Sequence, residues 1–308
     1  MSLVIVGTVA FDAIETPFGK TDKILGGAAT FISLAASKLY SSVKVISVIG
    51  GDFPNEYLQL MNNEGINTDG VKVIPDGKTF FWSGKYHIDM NSRETLTTEL
   101  NVLADFDPQL PESYKDCTYL MLGNLTPAIQ KKVIQQLPVR PKLIAMDTMN
   151  FWMNTALEDL LDVLTMVDVL TINDEEARQL SGEYSLVKAA RKIMNMGPKY
   201  LVIKKGEHGA LLFHEDQVFF APAMPLEEVF DPTGAGDTFA GGFMGFLAKT
   251  DDISFDNMKR AIIFGSAMAS FSVEKFGTEA LMELKNGKLY DRVQQFLSLV
   301  KFDIILSE

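Results

Sequence analysis

The chain has 308 residues, of which 47% are hydrophobic and 22% are charged, so it can bury a sizeable core and is not an intrinsically disordered chain. Its formal net charge of -12 argues against nucleic acid as a main partner, because binding a phosphate backbone needs a basic face, but it leaves room for a small anionic ligand. The single cysteine, Cys117, excludes an internal disulfide and a zinc site built from thiolates.

The start of the chain, MSLVIVGTVAFD, has no basic region ahead of its short apolar run, which predicts a strand rather than a signal peptide. The longest uncharged and mostly apolar run, residues 261–273, is too short to cross a bilayer and predicts a buried helix. With the low cysteine content, these features predict a cytoplasmic protein without a membrane partner.

Short β-branched runs alternate with helical patterns along most of the chain. The predicted strands are LVIV (3–6), KVISVI (44–49), YLML (119–122), LIAM (143–146), DVLTI (168–172) and YLVIK (200–204). The predicted helices between them include residues 28–39, 127–137 and 185–196. This alternation predicts a mostly parallel sheet with helices on both faces, in a single domain over residues 1–308.

Residues 79–100 depart from the alternation, because aromatic, polar and apolar residues recur there with a period of two and no helical pattern follows. We expect a β-ribbon outside the main sheet, joined by the extended segment 13–25 to form a lid. Its aromatic residues predict a face that packs on neighbouring strands or on a second copy of the chain. The alternative is a platform that stacks a nucleobase. Arg93 either reaches into the cleft or stays exposed.

Polar residues or glycine follow the predicted strands; they are Asp12, Asn124, Asp147, Asn173 and Gly206. Each of them alone is typical of a turn or a helix cap. Ligands of parallel sheets gather at the carboxyl ends of the strands, so the whole set along one edge predicts a binding site.

The segment DPTGAGDTFAGGF, residues 231–243, predicts an anion site. Pro232 predicts a turn, so a buried helix begins near residues 234–236. The free amides of a helix N-terminus carry partial positive charge, and glycine leaves them accessible to a phosphoryl group. Asp237 in the first turn has two interpretations: an acid that stabilises the helix, or the acceptor of a proton from a substrate hydroxyl.

Two other phosphate-binding motifs are excluded. A Walker loop needs a glycine five residues before GKT, and Ile14 stands there in front of residues 19–21. A dinucleotide fingerprint needs a third glycine where GAGDTF has Phe239, and the residues before it form a poor strand pattern.

DPTGAGDTFAGGF closely resembles the C-terminal signature of the ribokinase-like, or PfkB, carbohydrate kinase family, and further family features follow in the expected order over nearly the whole chain. The resemblance implies a ribokinase-like three-layer α/β fold: a mostly parallel central sheet with helices on both faces, and a small β-sheet lid. It implies that Asp237 is the catalytic base. It also implies that the backbone amides of Gly234, Ala235 and Gly236 form an anion hole for the transferring phosphoryl group.

The same resemblance implies ATP and Mg²⁺ as cofactors. Asn173 and Glu176 match the family's N-x-x-E motif, which organises Mg²⁺ and phosphates largely through water; on its own, Asn173 is equally a helix cap. KKGEHGA resembles the segment beside the adenine nucleotide. The implied nucleotide-binding residues are Lys204, Gly206, Gly209 and Gly236, and a solvated lysine is the alternative for Lys204.

Some members of the family hold a monovalent cation, such as K⁺, near the end of the chain. The resemblance makes Asp231 and Thr233 candidates for that site, with Ser272 and Gly277, although Leu281 replaces an expected serine.

The acceptor end matches the family less closely. The implied substrate-binding residues are Asp12, Gly26, Gly27 and Asn124. Phe31, however, replaces the usual asparagine after the double glycine, and DTMNFW (147–152) lacks the arginine of the family's D-x-N-x-R segment. The identity of the acceptor is therefore the least determined part of the prediction.

Together these features imply ATP-dependent phosphoryl transfer to a primary hydroxyl of a sugar or a sugar-like compound. A nucleoside kinase of the same family is the nearest alternative. A nucleotide-binding regulator without catalysis is another, which the intact TGAGD disfavours, and a chance match in an unrelated α/β protein is the last. A homodimer formed through the lid is a further expectation.

Overall fold

The computed structural model describes residues 1–301, and within that range the strands form two sheets. The strands are β1 (Leu3–Val6), β2 (Ala10–Thr16), β3 (Gly19–Lys20), β4 (Ile24–Gly26), β5 (Val43–Gly50), β6 (Ile66–Ile74), β7 (Phe81–Tyr86), β8 (Arg93–Glu99), β9 (Tyr119–Leu122), β10 (Leu143–Asp147), β11 (Val169–Asn173), β12 (Tyr200–Lys204), β13 (Ala210–His214) and β14 (Gln217–Ala221). The helices are α1 (Ala28–Ser37), α2 (Asn55–Asn63), α3 (Pro127–Gln135), α4 (Asn150–Thr155), α5 (Leu157–Leu164), α6 (Asp174–Ser181), α7 (Leu186–Met194), α8 (Ala235–Thr250), α9 (Phe255–Ser272), α10 (Glu279–Glu283) and α11 (Asn286–Val300).

The larger sheet has the strand order β14-β13-β12-β11-β10-β9-β1-β5-β6. Neighbouring strands from β12 to β6 are parallel, whereas β13 and β14 extend the β12 side as antiparallel strands. The carboxyl ends of parallel strands meet at one edge of a sheet. The adjacent strands β10, β11 and β12 therefore bring Asp147, Asn173 and Lys204 to the same edge.

Both faces of the larger sheet are buried. Leu3 and Ile5 of β1 belong to a core shared with α1, α8 and α9, whereas Val4 and Val6 belong to a second core shared with α3, α5 and α7. Successive side chains of a strand point to opposite faces, so an uninterrupted apolar run is the pattern of a strand covered on both sides. The result is the predicted three-layer α/β architecture.

The predicted elements of the larger sheet agree closely with the structure. β1, β9 and β12 span the predicted residues, β10 is one residue longer at its end, and β5 and β11 differ from the prediction by one residue at each end. The three predicted helices end two residues earlier than their patterns. The apolar run 261–273 lies mainly in the largely buried α9. Among residues 1–301, no helix combines the length and the apolar character that crossing a membrane needs.

The smaller sheet has the order β3-β2-β7-β8, with β4 paired to β2. It covers the predicted lid segments 13–25 and 79–100, but β2 already begins at Ala10, so the sheet also contains Asp12. Asp12 pairs with Trp82, and Tyr86 pairs with Arg93. Paired residues and residues two or four apart share a face, so these four side chains lie on one face of the smaller sheet.

Candidate active site

The turn at the N-terminus of α8 depends on Gly234. This N-cap residue has φ 72° and ψ 3°, a left-handed conformation that glycine adopts without strain. A β-carbon at this position would also lie 2.5 Å from the ring of Phe31, which packs directly against the turn. Backbone conformation and close packing therefore both require glycine here.

The amides in the first turn of α8 differ in their hydrogen bonds. Ala235 N–H donates to the carbonyl of Pro232 at 3.2 Å and closes the turn. Within residues 1–301, the N–H groups of Gly236 and Asp237 have no acceptor outside the helix. Unpaired amides at the positive end of a sixteen-residue helix form a cradle for a negatively charged group.

A buried ion pair lies beside this cradle. Lys204, at the end of β12, donates from Nζ to Oδ2 of Asp147, at the end of β10, over 2.8 Å. The same Nζ would lie 3.0 Å from a β-carbon on Gly236, so the lysine approaches the first turn of α8. Lys204 is therefore not the solvated lysine of the alternative interpretation. It brings a positive charge to the cradle.

Asn173 and Glu176 form a capping box at the start of α6. Oδ1 of Asn173 accepts the N–H of Glu176 at 2.8 Å, and Oε2 of Glu176 accepts the N–H of Asn173 at 2.8 Å. The capping box therefore confirms that Asn173 caps α6. It leaves Oε1 of the buried Glu176 without a hydrogen bond among the described residues, and this oxygen remains a candidate for Mg²⁺ or its waters.

Asp12 and the Gly26-Gly27 pair form a second part of the site. The Asp12 carboxylate is buried, and its Oδ2 accepts the N–H of Gly27 at 3.4 Å. A β-carbon on Gly26 would overlap this carboxylate. The double glycine thus makes room for Asp12 at the start of α1, close to where the family resemblance places the acceptor.

Three buried carboxyls of the candidate site have perturbed pKa values. Burial raises the pKa of Asp12, Glu176 and Asp237, each to about 7. The negative charge of Asp147 raises the pKa of Glu176 and of Asp237 further, and Lys204 opposes it. The charge of Asp237 in turn raises the pKa of Asp12. The three carboxyls therefore belong to one electrostatic cluster that changes its charge near neutral pH.

This cluster predicts how stability depends on pH. A carboxyl in the unfolded chain has a pKa of about 4, so between about pH 4 and pH 7 the folded chain holds protons that the unfolded chain releases. The contribution of these groups to the free energy of unfolding therefore falls as the pH rises through that window. Asp12→Asn removes one such group and is expected to raise Tm at pH 8 by at least about 2 °C. At pH 5, where Asp12 is already protonated, Tm should change little.

Differential scanning calorimetry of wild type and Asp12→Asn at both pH values measures this difference. Glu227→Gln is the matched control, because Glu227 is exposed in the loop before α8. A gain in Tm that is equal at pH 5 and pH 8 would contradict the buried, protonated state of Asp12.

The sequence pattern of the pfkB family carbohydrate kinases matches residues 2–285. The chain belongs to this family. It is therefore a kinase, a phosphotransferase of the kind that the DPTGAGD segment implied.

Relatives and solved structures agree with this assignment. A cytidine kinase from Thermococcus kodakarensis is 31% identical over 255 residues, which cover 81% of this chain and 89% of that protein. The nucleoside kinase of Burkholderia thailandensis, solved in complex with inosine, has a TM-score of 0.76 at 20% identity over 96% of this chain and 97% of its own. A ribokinase II-like protein from E. coli, solved with ATP and Mg²⁺, has a TM-score of 0.77 at 18% identity over 96% and 99%. The predicted ribokinase-like fold is confirmed.

In this pfkB kinase, Asp231 fixes the loop that precedes α8. Its Oδ1 accepts the N–H of Thr233 and its Oδ2 accepts the N–H of Gly277, both at 2.8 Å. Oγ1 of Thr233 lies 3.2 Å from the hydroxyl of Tyr86 in β7, which ties the smaller sheet to this loop. The candidate cation residues Asp231 and Thr233 are thus close to Gly277, and the monovalent cation itself stays a prediction.

The predicted nucleotide-binding glycines have different surroundings. A β-carbon on Gly206 would lie 2.8 Å from Oδ1 of Asn91, at the tip of the β7–β8 hairpin, so the smaller sheet reaches the turn after β12. A β-carbon on Gly209 would overlap the carbonyl of Ala221 in β14. Packing against Ala221 of β14 therefore accounts for Gly209, whereas the atoms nearest to Gly206 belong to Asn91 of the smaller sheet.

Asn124 lies just beyond the end of β9, but its side chain is already engaged. Its Oδ1 accepts the indole N–H of Trp152 at 2.8 Å, and its Nδ2 donates to the sulfur of Met149 at 3.0 Å. Asn124 therefore supports the DTMNFW segment, and a direct role in substrate binding stays a prediction.

Sequence reasoning placed Asp147 at a strand end but gave it no role, and it did not assign Tyr86 to the site. Both contacts join residues far apart in the chain, Lys204 to Asp147 and Thr233 to Tyr86. The useful signal for Asp147 was its position directly after the buried run LIAM, one strand from Asn173. No comparable signal identified Tyr86.

Proposed function

We propose that this kinase transfers the γ-phosphoryl group of ATP to a hydroxyl of a sugar or of the sugar part of a nucleoside, with Asp237 as the general base. The observation that carries the proposal is the arrangement at the start of α8. The free amides of Gly236 and Asp237 and the Asp237 carboxylate belong to the first turn of α8, and the ammonium of Lys204 would lie 3.0 Å from a β-carbon on Gly236. Phosphoryl transfer needs an anion site, a neutralising charge and one proton acceptor, and this arrangement supplies all three.

Asp237 is suited to accept the proton of an acceptor hydroxyl. Burial, followed by the charge of Asp147, raises the pKa of Asp237 to about 7, which lies near the operating pH of a general base. The charge of Asp237 in turn raises the pKa of Asp12, a second buried carboxyl at the acceptor end. In this proposal Asp12 holds acceptor hydroxyls while Asp237 takes the proton from the attacking one.

The free amides of Gly236 and Asp237, together with the amide of Gly234, bind the oxygens of the transferring phosphoryl group, and Lys204 neutralises part of its charge. The N–H of Ala235 closes the turn in the present structure, so its predicted place in the anion hole requires that hydrogen bond to open. Asp147 positions Lys204, because the buried ion pair fixes the ammonium next to Gly236.

The residues fit a magnesium ion that arrives with the nucleotide. Within residues 1–301, no three carboxylate, histidine or cysteine side chains are close enough together to enclose a metal ion. The cluster nevertheless contains carboxyls whose mutual repulsion raises the pKa of Glu176, in addition to burial, and a divalent cation relieves that repulsion. Mg²⁺ keeps several waters and takes few protein ligands, so Asn173 and Glu176 would hold it partly through water, where it would offset phosphate charge.

The smaller sheet acts as the lid of the proposed enzyme. Tyr86 and Asn91 already connect it to the loop before α8 and to the turn after β12. A closed lid withholds the γ-phosphate from water until an acceptor is bound.

A nucleoside is the acceptor that the comparisons favour. The relative that is 31% identical over 81% of this chain is a cytidine kinase, and further relatives are a nucleoside kinase and a ribokinase. Phe31, which replaces the asparagine of sugar-binding members, packs against Gly234 instead of offering a hydrogen bond to a free sugar.

A coupled assay of ADP release tests the proposal with cytidine, uridine, adenosine, inosine, ribose and deoxyribose as acceptors. We expect turnover with at least one nucleoside, at a kcat/KM at least about tenfold above that for ribose, because a bound base adds about 1.4 kcal/mol or more of binding free energy. Higher turnover with ribose than with any nucleoside would leave a sugar kinase as the correct function. No turnover with any acceptor, together with no stabilisation by ATP and Mg²⁺ in a thermal-shift assay, would contradict the kinase proposal.

A further inference from the structure

Arg93 is a positively charged residue of the smaller sheet. It begins β8 and pairs with Tyr86, whose hydroxyl lies 3.2 Å from Oγ1 of Thr233. Thr233 directly precedes Gly234, the N-cap of α8. Arg93 is thus next to Tyr86 on the sheet, and Tyr86 contacts the loop that leads into α8.

The side chain of Arg93 is supported by its neighbours on the sheet. Its guanidinium lies 5.6 Å from the centre of the Trp82 ring, within the range of a cation–π contact. Trp82 is itself fixed, because its ring covers Gly84, where a β-carbon would overlap it, and its indole N–H donates to Oγ1 of Thr95 at 3.4 Å. The arginine therefore lies near an aromatic ring that is itself packed on the sheet.

The charge of Arg93 is not neutralised by a neighbouring carboxylate. Among the residues that the structure describes, no carboxylate lies within ion-pair distance of its guanidinium, and the residue is exposed. Its charge nevertheless favours the ionised forms of Asp12, Glu176 and Asp237, which are the three perturbed carboxyls of the cleft. Besides its hydrogen bond to the hydroxyl of Tyr86, the guanidinium keeps further donors available for a ligand.

We propose that Arg93 is a catalytic residue that binds the transferring phosphoryl group when the smaller sheet closes over the cleft. This inference rests on the proposed phosphoryl transfer. A guanidinium presents parallel N–H donors that match two oxygens of a phosphoryl group, which the ammonium of Lys204 cannot do. Because Lys204 already shares its charge with Asp147, Arg93 supplies the second positive charge. Because Arg93 lies on the smaller sheet, closure of this sheet brings the guanidinium to the transferring phosphoryl group.

Steady-state kinetics of Arg93→Ala test this role. Removal of one charged donor from a transferring group is expected to lower kcat by about 10²–10³-fold, while the KM values for ATP and for the acceptor change little, because the contact forms only during transfer. Arg93→Lys should recover part of the loss, and free guanidinium ion at millimolar concentration should partly restore Arg93→Ala but not Arg93→Lys. Lys85→Ala is the matched control, because this substitution removes the same charge from the opposite face of the smaller sheet. In the wild type, Lys85 pairs there with Glu15.

A binding measurement that needs no acceptor separates this inference from the proposed function. ADP alone should stabilise wild type and Arg93→Ala equally in a thermal-shift assay, whereas the additional stabilisation by ADP, Mg²⁺ and aluminium fluoride should be lost in Arg93→Ala only. A kcat of Arg93→Ala within about threefold of wild type would overturn the proposal, and so would a rise in acceptor KM at unchanged kcat. Equal stabilisation of both proteins by aluminium fluoride would overturn it as well.

Discussion

Asp237→Asn is expected to lower kcat by about 10²–10⁴-fold, the range that a general base contributes, while the fold and the affinity for ATP are retained. The amide side chain has the same shape but cannot accept the proton of an acceptor hydroxyl. Because burial raises the pKa of Asp237 to about 7, the substitution also removes a costly buried charge above that pH. We therefore expect Asp237→Asn to melt at the same or a higher temperature than wild type at pH 8.

Asp256→Asn is the matched control for this prediction. Asp256 occupies the first turn of α9, where an acid stabilises the helix by roughly 0.3–1 kcal/mol, and it pairs with Lys259 on the surface. If Asp237 only stabilised α8, both substitutions would lower Tm slightly and leave kcat unchanged. Loss of turnover in Asp237→Asn alone, measured as ADP release at saturating ATP, identifies the carboxylate as the base.

Gly234→Ala is expected to cost about 2–5 kcal/mol of stability and to abolish turnover. A left-handed conformation costs a residue with a β-carbon roughly 1–2 kcal/mol, and forcing that carbon against the ring of Phe31 adds about 1–3 kcal/mol. Relief of the overlap requires the N-terminus of α8 to shift, which displaces the amides and Asp237 together. The free energy of unfolding in urea and the rate of ADP release measure the two effects.

Gly182→Ala measures the cost of the left-handed conformation alone, without a steric overlap like that between Gly234 and Phe31. Gly182 ends α6 with φ 70° and ψ 15°, nearly the conformation of Gly234, but a β-carbon there would have no heavy atom nearer than 3.9 Å. The loss of stability in Gly182→Ala should therefore be limited to roughly 1–2 kcal/mol, with normal turnover. Equal losses of stability in the two variants would show that Phe31 does not constrain the turn.

The strands of the larger sheet could be predicted because their information is local. An apolar run bounded by polar residues predicts a strand that is buried on both faces. The runs LVIV, YLML and YLVIK have the same first and last residues as the strands β1, β9 and β12. Pro232 followed by small residues likewise predicted a helix start near residues 234–236, and α8 begins at Ala235. The antiparallel extension by β13 and β14 was not predicted, because nothing in their pattern fixes strand direction.

The candidate site was predicted only in part, because many of its contacts join distant segments. The start of α8 and the capping box of Asn173 and Glu176 follow from short motifs. The pairing of Lys204 with Asp147 depends on the order of β10, β11 and β12, which single-sequence patterns do not reveal. Asp12 was expected after a strand and lies within β2 of the smaller sheet, since the period-two pattern of residues 10–16 is short.

A crystal structure with ADP, Mg²⁺, aluminium fluoride and the preferred acceptor tests the central claim most directly. The account predicts that the aluminium fluoride lies against the amides at the start of α8, with the Asp237 carboxylate about 3 Å from the acceptor oxygen that faces it. An aluminium fluoride bound elsewhere in the cleft, or an acceptor oxygen held by another residue while Asp237 points away, would contradict it.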